Sequence, residues 1–349
     1  MDPFPSGTWG LNERGRAKYR LRRHSEAIKD FSKAIELDPE PAYALVNRGM
    51  TYGELRRWDE AFADFDKAIA TDPTYAYAYF CRGHAKVLLQ QYEAAVEDFD
   101  RVLAIQPNDN GETYANLAWA KHHTGSYEEA IADYDQAIAR DRQCVFAYSN
   151  RACAKLHLQR YDEAIDDYDQ AISIEPSSAY DYSGRGTAKY RAGRYDDALK
   201  DLNQAIKLNS KDSLAHYYRA SVYMSLDKHE EALRDATQAI ALDPTSAHSY
   251  DVRGSANAEL GHYQAALADY DRAIALDATF SGSQFNKACV YSRWNKPAQA
   301  VTELRTAFEM DSSLCNEAKT EKDFDNVRTY PAFQALIAEY CPDAASCGD

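Results

Sequence analysis

No uninterrupted run of about 18 apolar residues occurs, so no segment reads as a membrane-spanning helix. The opening residues, MDPFPSGTWG, lack the basic start and apolar stretch of a secretory leader. No CxxC pair is present, and the seven cysteines (Cys81, Cys144, Cys153, Cys289, Cys315, Cys341 and Cys347) are odd in number. Without a leader, the expectation is reduced thiols and a cytoplasmic protein, although Cys341 and Cys347 are close enough to pair in the tail. No glycine-rich phosphate loop, GxSxG or HExxH occurs, so the reading is not an enzyme, with no cofactor. Positive charge is short: 40 Lys and Arg stand against 55 Asp and Glu, a formal net charge of −15. Such a field repels nucleic-acid phosphates and anionic lipid, which excludes both as main partners.

The N-terminal end departs from this balance. Arg14, Arg16, Lys18, Arg20, Arg22, Arg23, Lys29 and Lys33 face only Glu13, Glu26 and Asp30. One reading is a solvated helix surface. The other is a docking patch for an acidic partner or for the acidic flank of a second copy, which would make a homo-oligomer.

What the chain does have is repetition. YDEAIDDYDQAISIEP, from Tyr161, nearly duplicates YEEAIADYDQAIARDR, from Tyr127. Further copies start at His24, Trp58, Tyr92, Tyr195, His229, Tyr263 and Pro297, in steps of 34 residues with one step of 35 after Tyr92. A fixed period of this length means stacked units, each touching its neighbours, in place of the two or three domains that length alone suggests. The expected layout is a tail over 1–7 and repeats at 8–41, 42–75, 76–109, 111–144, 145–178, 179–212, 213–246, 247–280 and 281–314. A cap and tail over 315–349 follow.

Within one unit, numbered 1 to 34, apolar or small residues fall at 4, 8, 11 and 14, then at 17, 20, 21, 24, 27 and 28. Steps of three and four give one apolar helix face. The pattern breaks near 15 and 16 and again at an Asp-Pro near 31 and 32, which predicts two antiparallel helices, A and B. Position 20 is alanine in all nine units and position 8 is glycine or alanine, so A and B are expected to approach closely. An aromatic at 24 (Phe31, Phe65, Phe99, Tyr134, Tyr168, Tyr270) fills the space beside them.

The length of 34, the small residues at 8 and 20, aromatics at 17 and 24, alanine at 27 and proline at 32 resemble the tetratricopeptide repeat, in a bacterial-type array. The resemblance implies an all-α, right-handed superhelix (an α-solenoid) with helix A lining a concave groove. The stretch PAFQALIAEY, entered through Thr329, Tyr330 and Pro331, resembles a C-terminal capping helix. One departure is informative. Position 7, commonly apolar in the family, is arginine in seven units, Leu117 in the fourth and Lys287 in the ninth. Position 23 is acidic throughout, and becomes Glu303 where the base becomes Lys287. This pattern predicts an Arg–Asp ladder between neighbouring helices.

The resemblance assigns the groove to positions 2, 5, 6, 9, 12 and 13. Position 2 supplies Trp9, Tyr43, Tyr77, Phe146 and Tyr180, and position 5 supplies Phe80, Tyr217 and Phe285. Position 6 supplies Asn47, Asn116, Asn150 and Asn286; Trp119, His122, His123 and Tyr190 complete the set. Flat, partly polar rings suit partner anchors, and asparagine pairs with both groups of a peptide backbone. Position 5 has no lysine and position 9 no asparagine, so the carboxylate clamp of chaperone-binding relatives is excluded. Cys153 and His157, at i and i+4, have a spacing that can share a metal. With His84, His122 and His123 about one helix pair away the expectation is that they do not converge, and no metal is assigned. The function expected is a scaffold that binds a protein or peptide in the groove. Binding should centre on the fourth repeat, which departs most from its siblings.

Overall fold

The computed structural model describes residues 7–108 and 111–341, and every regular element among them is helical. Asp109, Asn110 (where the extra residue before the fourth repeat falls), the tail before Gly7 and Cys347 lie outside the described residues. The chain divides into two compact units, Met1–Glu175 and Pro176–Asp349. The first holds α1 (Thr8–Arg20), α2 (His24–Leu37), α3 (Ala42–Glu54), α4 (Trp58–Thr71) and α5 (Ala76–Leu88). It continues with α6 (Tyr92–Ile105), α7 (Glu112–His123), α8 (Tyr127–Arg140), α9 (Val145–His157) and α10 (Tyr161–Ile174). The second holds α11 (Ala179–Arg191), α12 (Tyr195–Leu208), α13 (Ser213–Ser225), α14 (His229–Leu242) and α15 (Ala247–Glu259). It ends with α16 (Tyr263–Leu276), α17 (Ser281–Arg293), α18 (Pro297–Met310), α19 (Leu314–Thr320), a 3-10 turn at Lys322–Phe324 and α20 (Pro331–Tyr340).

Through α18, odd numbers are A helices and even numbers B helices. Each A helix closes on one residue of positive φ at position 15: Arg22, Arg56, Gln90, Gly125, Gln159, Gly193, Asp227, Gly261 and Asn295. This left-handed residue turns the chain back and satisfies the last carbonyls of the helix. After the B helices, the carboxylates of Asp72, Asp243 and Asp277 accept from the backbone N–H and hydroxyl of Thr74, Thr245 and Thr279. These side-chain turns fix the exit from helix B.

The alanine at position 20 is fully buried in every repeat. A Cβ built on Gly15 would fall 2.6 Å from the Phe31 ring, and one on Gly254 would fall 2.8 Å from Tyr270. Glycine at position 8 therefore admits the large ring at position 24. Within each unit A helices also touch A helices: α1 meets α3, α3 meets α5, α5 meets α7 and α7 meets α9, as α11, α13, α15 and α17 do in turn.

The ladder is present. Arg14, Arg82, Arg185 and Arg253 reach Asp30, Asp98, Asp201 and Asp269 at 2.6–2.8 Å. Arg48 meets Asp64 at 2.7 Å, Arg151 meets Asp167 at 2.5 Å, Arg219 meets Asp235 at 2.6 Å and Lys287 meets Glu303 at 3.1 Å. A second base, Lys18, Lys86, Lys155 or Lys189, joins the same carboxylate in four repeats. The arginines also reach back one repeat, Arg48 to Ser32, Arg82 to Asp66, Arg151 to Asp135 and Arg219 to Asn203. Each such arginine therefore ties one helix pair to the one before it. Tyrosines at position 4 stack on it: Tyr79 on Arg82, Tyr148 on Arg151, Tyr182 on Arg185 and Tyr250 on Arg253, at 5.3–5.6 Å. Burial alone would raise the pKa of Asp30, but hydrogen bonds from Arg14 and Lys18 outweigh it and hold the carboxyl below its ordinary range. Asp235 is lowered in the same way by Arg219 and His216.

The end of the second unit differs from the expectation of reduced thiols. Cys315 and Cys341 form a disulfide, their Cα atoms 6.1 Å apart, so neither is a reduced thiol and Cys341 is not left for Cys347. The helices after the ninth repeat bring them together, because Phe324, Phe333 and Leu336 bury themselves against Leu304 and Phe308. Phe285, expected in the groove, is buried in this cluster with its ring 5.5 Å from Phe324.

Candidate partner-binding face

Six large apolar side chains at position 2 of A helices are exposed. In the first unit they are Trp9 (69%), Tyr43 (44%), Tyr77 (43%) and Phe146 (44%); in the second, Tyr180 (54%) and Leu214 (56%). The position lies one residue inside the helix start, and the neighbouring position 1 or 3 packs inward, as Ala76, Ala78 and Ala147 do. The exposure is therefore tied to the register of the repeat and is not a scatter of surface residues.

Behind this row the other expected residues are half-buried. Phe80 stacks on Tyr77 at 6.1 Å and meets Phe99 edge-on at 5.9 Å. Tyr190 lies between Tyr195 and Tyr218, and Tyr217 packs on Tyr218 at 4.8 Å. Each asparagine spends a donor inside the protein. Asn47 donates to Asn12, Asn116 to the Glu112 carbonyl, Asn150 to the Phe146 carbonyl and Asn286 to Asp251. Asn150 is itself buried.

The first unit has a hollow of about 270 Å³ between α1 and the helices beside it, lined by Arg16, Tyr19, Arg20, Tyr43, Met50 and Tyr77. The second has one of about 200 Å³ with Arg191, Leu214, Tyr217, Tyr218 and His248 on its wall. The arginines in these hollows were missed by a reading that attended to aromatics and amides, although Arg16 and Arg191 stand at groove positions 9 and 13. Of the basic residues near the N-terminus, Arg14 and Lys18 are held by Asp30, Arg16 by Glu13, Arg22 by Glu54, Arg23 by Glu26 and Lys33 by Glu36. The basic end is thus largely neutralised by its own chain.

The fourth repeat gathers rings. Trp119 stacks on His122 at 6.3 Å, meets His123 edge-on at 4.3 Å and touches Phe146 at 5.6 Å. His123 stacks on Tyr92 at 4.6 Å, and His157 on Tyr127 at 4.5 Å. The expectation that the histidines and cysteine stand apart is corrected for three of them. His122, Cys153 and His157 bring one ligand atom each to within 4.8 Å of one another, because α7 and α9 are in contact. Burial, with His123 and His157 nearby, pushes His122 down to about 4, so its ring is neutral at pH 7.

The tetratricopeptide repeat pattern matches residues 12–76, 50–110, 184–247 and 223–279, and further forms of it match 145–178, 111–144 and 281–314. No curated protein matches the chain by sequence. Among solved structures, a tetratricopeptide repeat protein from Parabacteroides merdae is 18% identical, with a TM-score of 0.56 over 68% of this chain and 93% of that one. A chain of the Cut9–Hcn1 hetero-tetramer of the APC/C is 15% identical, with a TM-score of 0.54 over 92% of this chain and 76% of that one. Among the described residues no helix is long and apolar enough to cross a membrane.

Proposed function

The chain belongs to the tetratricopeptide repeat family, and from that premise we propose that it is a scaffold that holds an extended segment of a partner protein along its A-helix face. The observation that supports this reading most is the row of exposed side chains at position 2. Packing does not require them there, since the cores close on position 20 alanines and position 24 rings. Aromatic side chains lose little entropy on binding and bury large area, so they serve as anchors. In this reading Tyr43, Tyr77, Phe80 and Phe146 on the A helices of the first unit, and Tyr180, Tyr190 and Tyr217 on those of the second, contact the partner. Asn47 and Asn116 offer it their remaining amide atoms, Asn150 is buried behind them, and Trp119, His122 and His123 form the centre.

A random-peptide display library tests this without a known partner. Peptides selected on the full chain should lose binding to a Tyr43→Ala/Tyr77→Ala variant or to Trp119→Ala. They should keep binding to a variant altered on the outer B-helix surface, such as Lys67→Ala. If peptides are lost only with the B-helix change, the A-helix face is not the binding face.

A further inference from the structure

We propose that His122, Cys153 and His157 form a binding site for a divalent metal ion of the zinc class. Cys153 and His157 stand four residues apart on α9 and so project from one side of it. His122 comes from the last turn of α7, in the preceding repeat. One sulfur and two imidazole nitrogens lie within 4.8 Å of one another. Zinc–nitrogen bonds of about 2.0–2.1 Å and a zinc–sulfur bond of about 2.3 Å set the ligand atoms of a tetrahedral site about 3.4–3.6 Å apart. Closing that gap takes rotation of side chains already on converging helices. A single thiolate with two imidazoles is a donor set that suits zinc, and hard cations such as magnesium prefer oxygen.

A second observation points the same way. The Nδ1 atom of His122 is buried and meets no hydrogen-bond partner among the described residues. A buried polar nitrogen left so is costly, and the ring has an unmet demand for a donor or a cation. The surroundings restrict the ring positions: Tyr127 stacks on His157 and packs edge-on against His122. His123 is drawn aside by its stack on Tyr92 and stays outside the set. Cys153 is not in a disulfide. Binding displaces its thiol proton to solvent, and three protein ligands leave one tetrahedral position for water or for a donor atom of a partner.

Cobalt(II) reports both geometry and ligand type. The purified full chain, reduced and stripped with a chelator, is titrated with Co²⁺ and then with Zn²⁺. The expected result is the visible absorption of tetrahedral cobalt with a near-ultraviolet sulfur-to-cobalt band, both removed by Zn²⁺. Cys153→Ser should abolish the sulfur band. His157→Gln, at a residue exposed overall, should weaken binding by more than the roughly tenfold lost when an outer-shell partner is removed. Zn²⁺ should raise the melting temperature of the parent chain and not of His157→Gln. Absence of the sulfur band in the parent chain overturns the proposal. So does a band that survives in Cys153→Ser, because other thiols then hold the metal.

Discussion

The fourth and fifth repeats bury the same alanine, Ala130 and Ala164, under the same kind of ring, Tyr134 and Tyr168, yet they hold their helices together differently. In the fifth, Asp167 takes two hydrogen bonds from Arg151 and an ion pair from Lys155, and Arg151 reaches back to Asp135. In the fourth, Leu117 stands in place of the arginine, buried in a cluster with Phe99. Among the described residues Asp133 pairs with Lys121, at 2.7 Å, and with no arginine. Tyr114, deprived of its ladder arginine, is covered instead by Arg140 at 4.2 Å. Burial raises the pKa of Asp133 and one lysine does not offset it, whereas Asp30 and Asp235 are held low. The comparison teaches that the fold needs the alanine and the ring in every repeat. The basic residue at position 7 can be dropped at one repeat, where rings and imidazoles gather on the A-helix face.

Removing the carboxylates breaks this comparison most strongly. Asp167→Ala takes the inner carboxylate from the half-buried Arg151, which keeps Asp135, and from the buried Lys155, so a loss of about 3 kcal/mol is expected. Asp133→Ala strands one lysine whose stem can carry the charge outward, and about 1–2 kcal/mol is expected. Urea denaturation of the two variants checks the order. Equal losses would mean that the arginine adds nothing to the link.

Binding is expected to run the other way. For library peptides selected on the full chain, Trp119→Ala should weaken affinity by about 2 kcal/mol, as loss of an anchoring aromatic does. Its effect on stability should be smaller than that of Ala130→Leu, which overpacks a filled contact at about 1–3 kcal/mol. Isothermal titration and melting curves of both variants separate the roles. Trp119→Ala that lowers the melting temperature while sparing the peptide would make Trp119 a packing residue.

Acid sharpens the contrast through the sign of each shift. Asp30 has a lowered folded pKa, so its contribution is present above the ordinary value of about 3.9 and is lost as the pH falls through the lower one. Asp133 has a raised folded pKa, so its contribution is complete below about 3.9 and is lost as the pH rises through the raised value. Carboxyl resonances followed by NMR should show Asp133 taking its proton at higher pH than Asp30. The reverse order would remove the electrostatic difference between the fourth repeat and its siblings.

The ladder was legible in the sequence because base and acid recur at a fixed separation of 16 residues and change together at Lys287 and Glu303. The backward reach of Arg82 to Asp66 was not read, although position 25 is aspartate in five repeats (Asp66, Asp100, Asp135, Asp169 and Asp271), because the link joins one repeat to the next and is invisible when repeats are compared singly. Position 2 was read as groove lining, and the exposure of Tyr43 and Tyr77 is a fact of packing that composition does not supply. The approach of His122 to Cys153 and His157 depends on how α7 lies beside α9. Position 12 of one repeat meets positions 9 and 13 of the next, a relation that a reading of single repeats does not contain. Cys315 and Cys341 were illegible for another reason: the period ends at residue 314, and the pairing follows from the non-repeating cluster around Phe324.

The smallest expected effect lies at the turn between helices. Position 15 is left-handed in both repeats, with φ of 81° at Gly125 and 59° at Gln159. A side chain in this region places its Cβ against the following carbonyl, at about 1–2 kcal/mol, and glycine avoids the clash. Glycine also has more freedom to lose from the unfolded chain, which returns part of the gain. Gln159→Gly is therefore expected to stabilise by about 0.5–1 kcal/mol, and Gly125→Ala to destabilise by about 1 kcal/mol. No atom stands within 4 Å of a Cβ placed on Gly125, so the second effect is backbone strain without steric overlap. Thermal denaturation of the two single variants and of the double variant checks both signs. The two effects should add, because each turn closes its own helix. A Gln159→Gly variant less stable than the parent would show that the glutamine side chain makes a stabilising contact at the turn. The left-handed residue would then have been selected for packing in the fifth repeat and for conformation alone in the fourth.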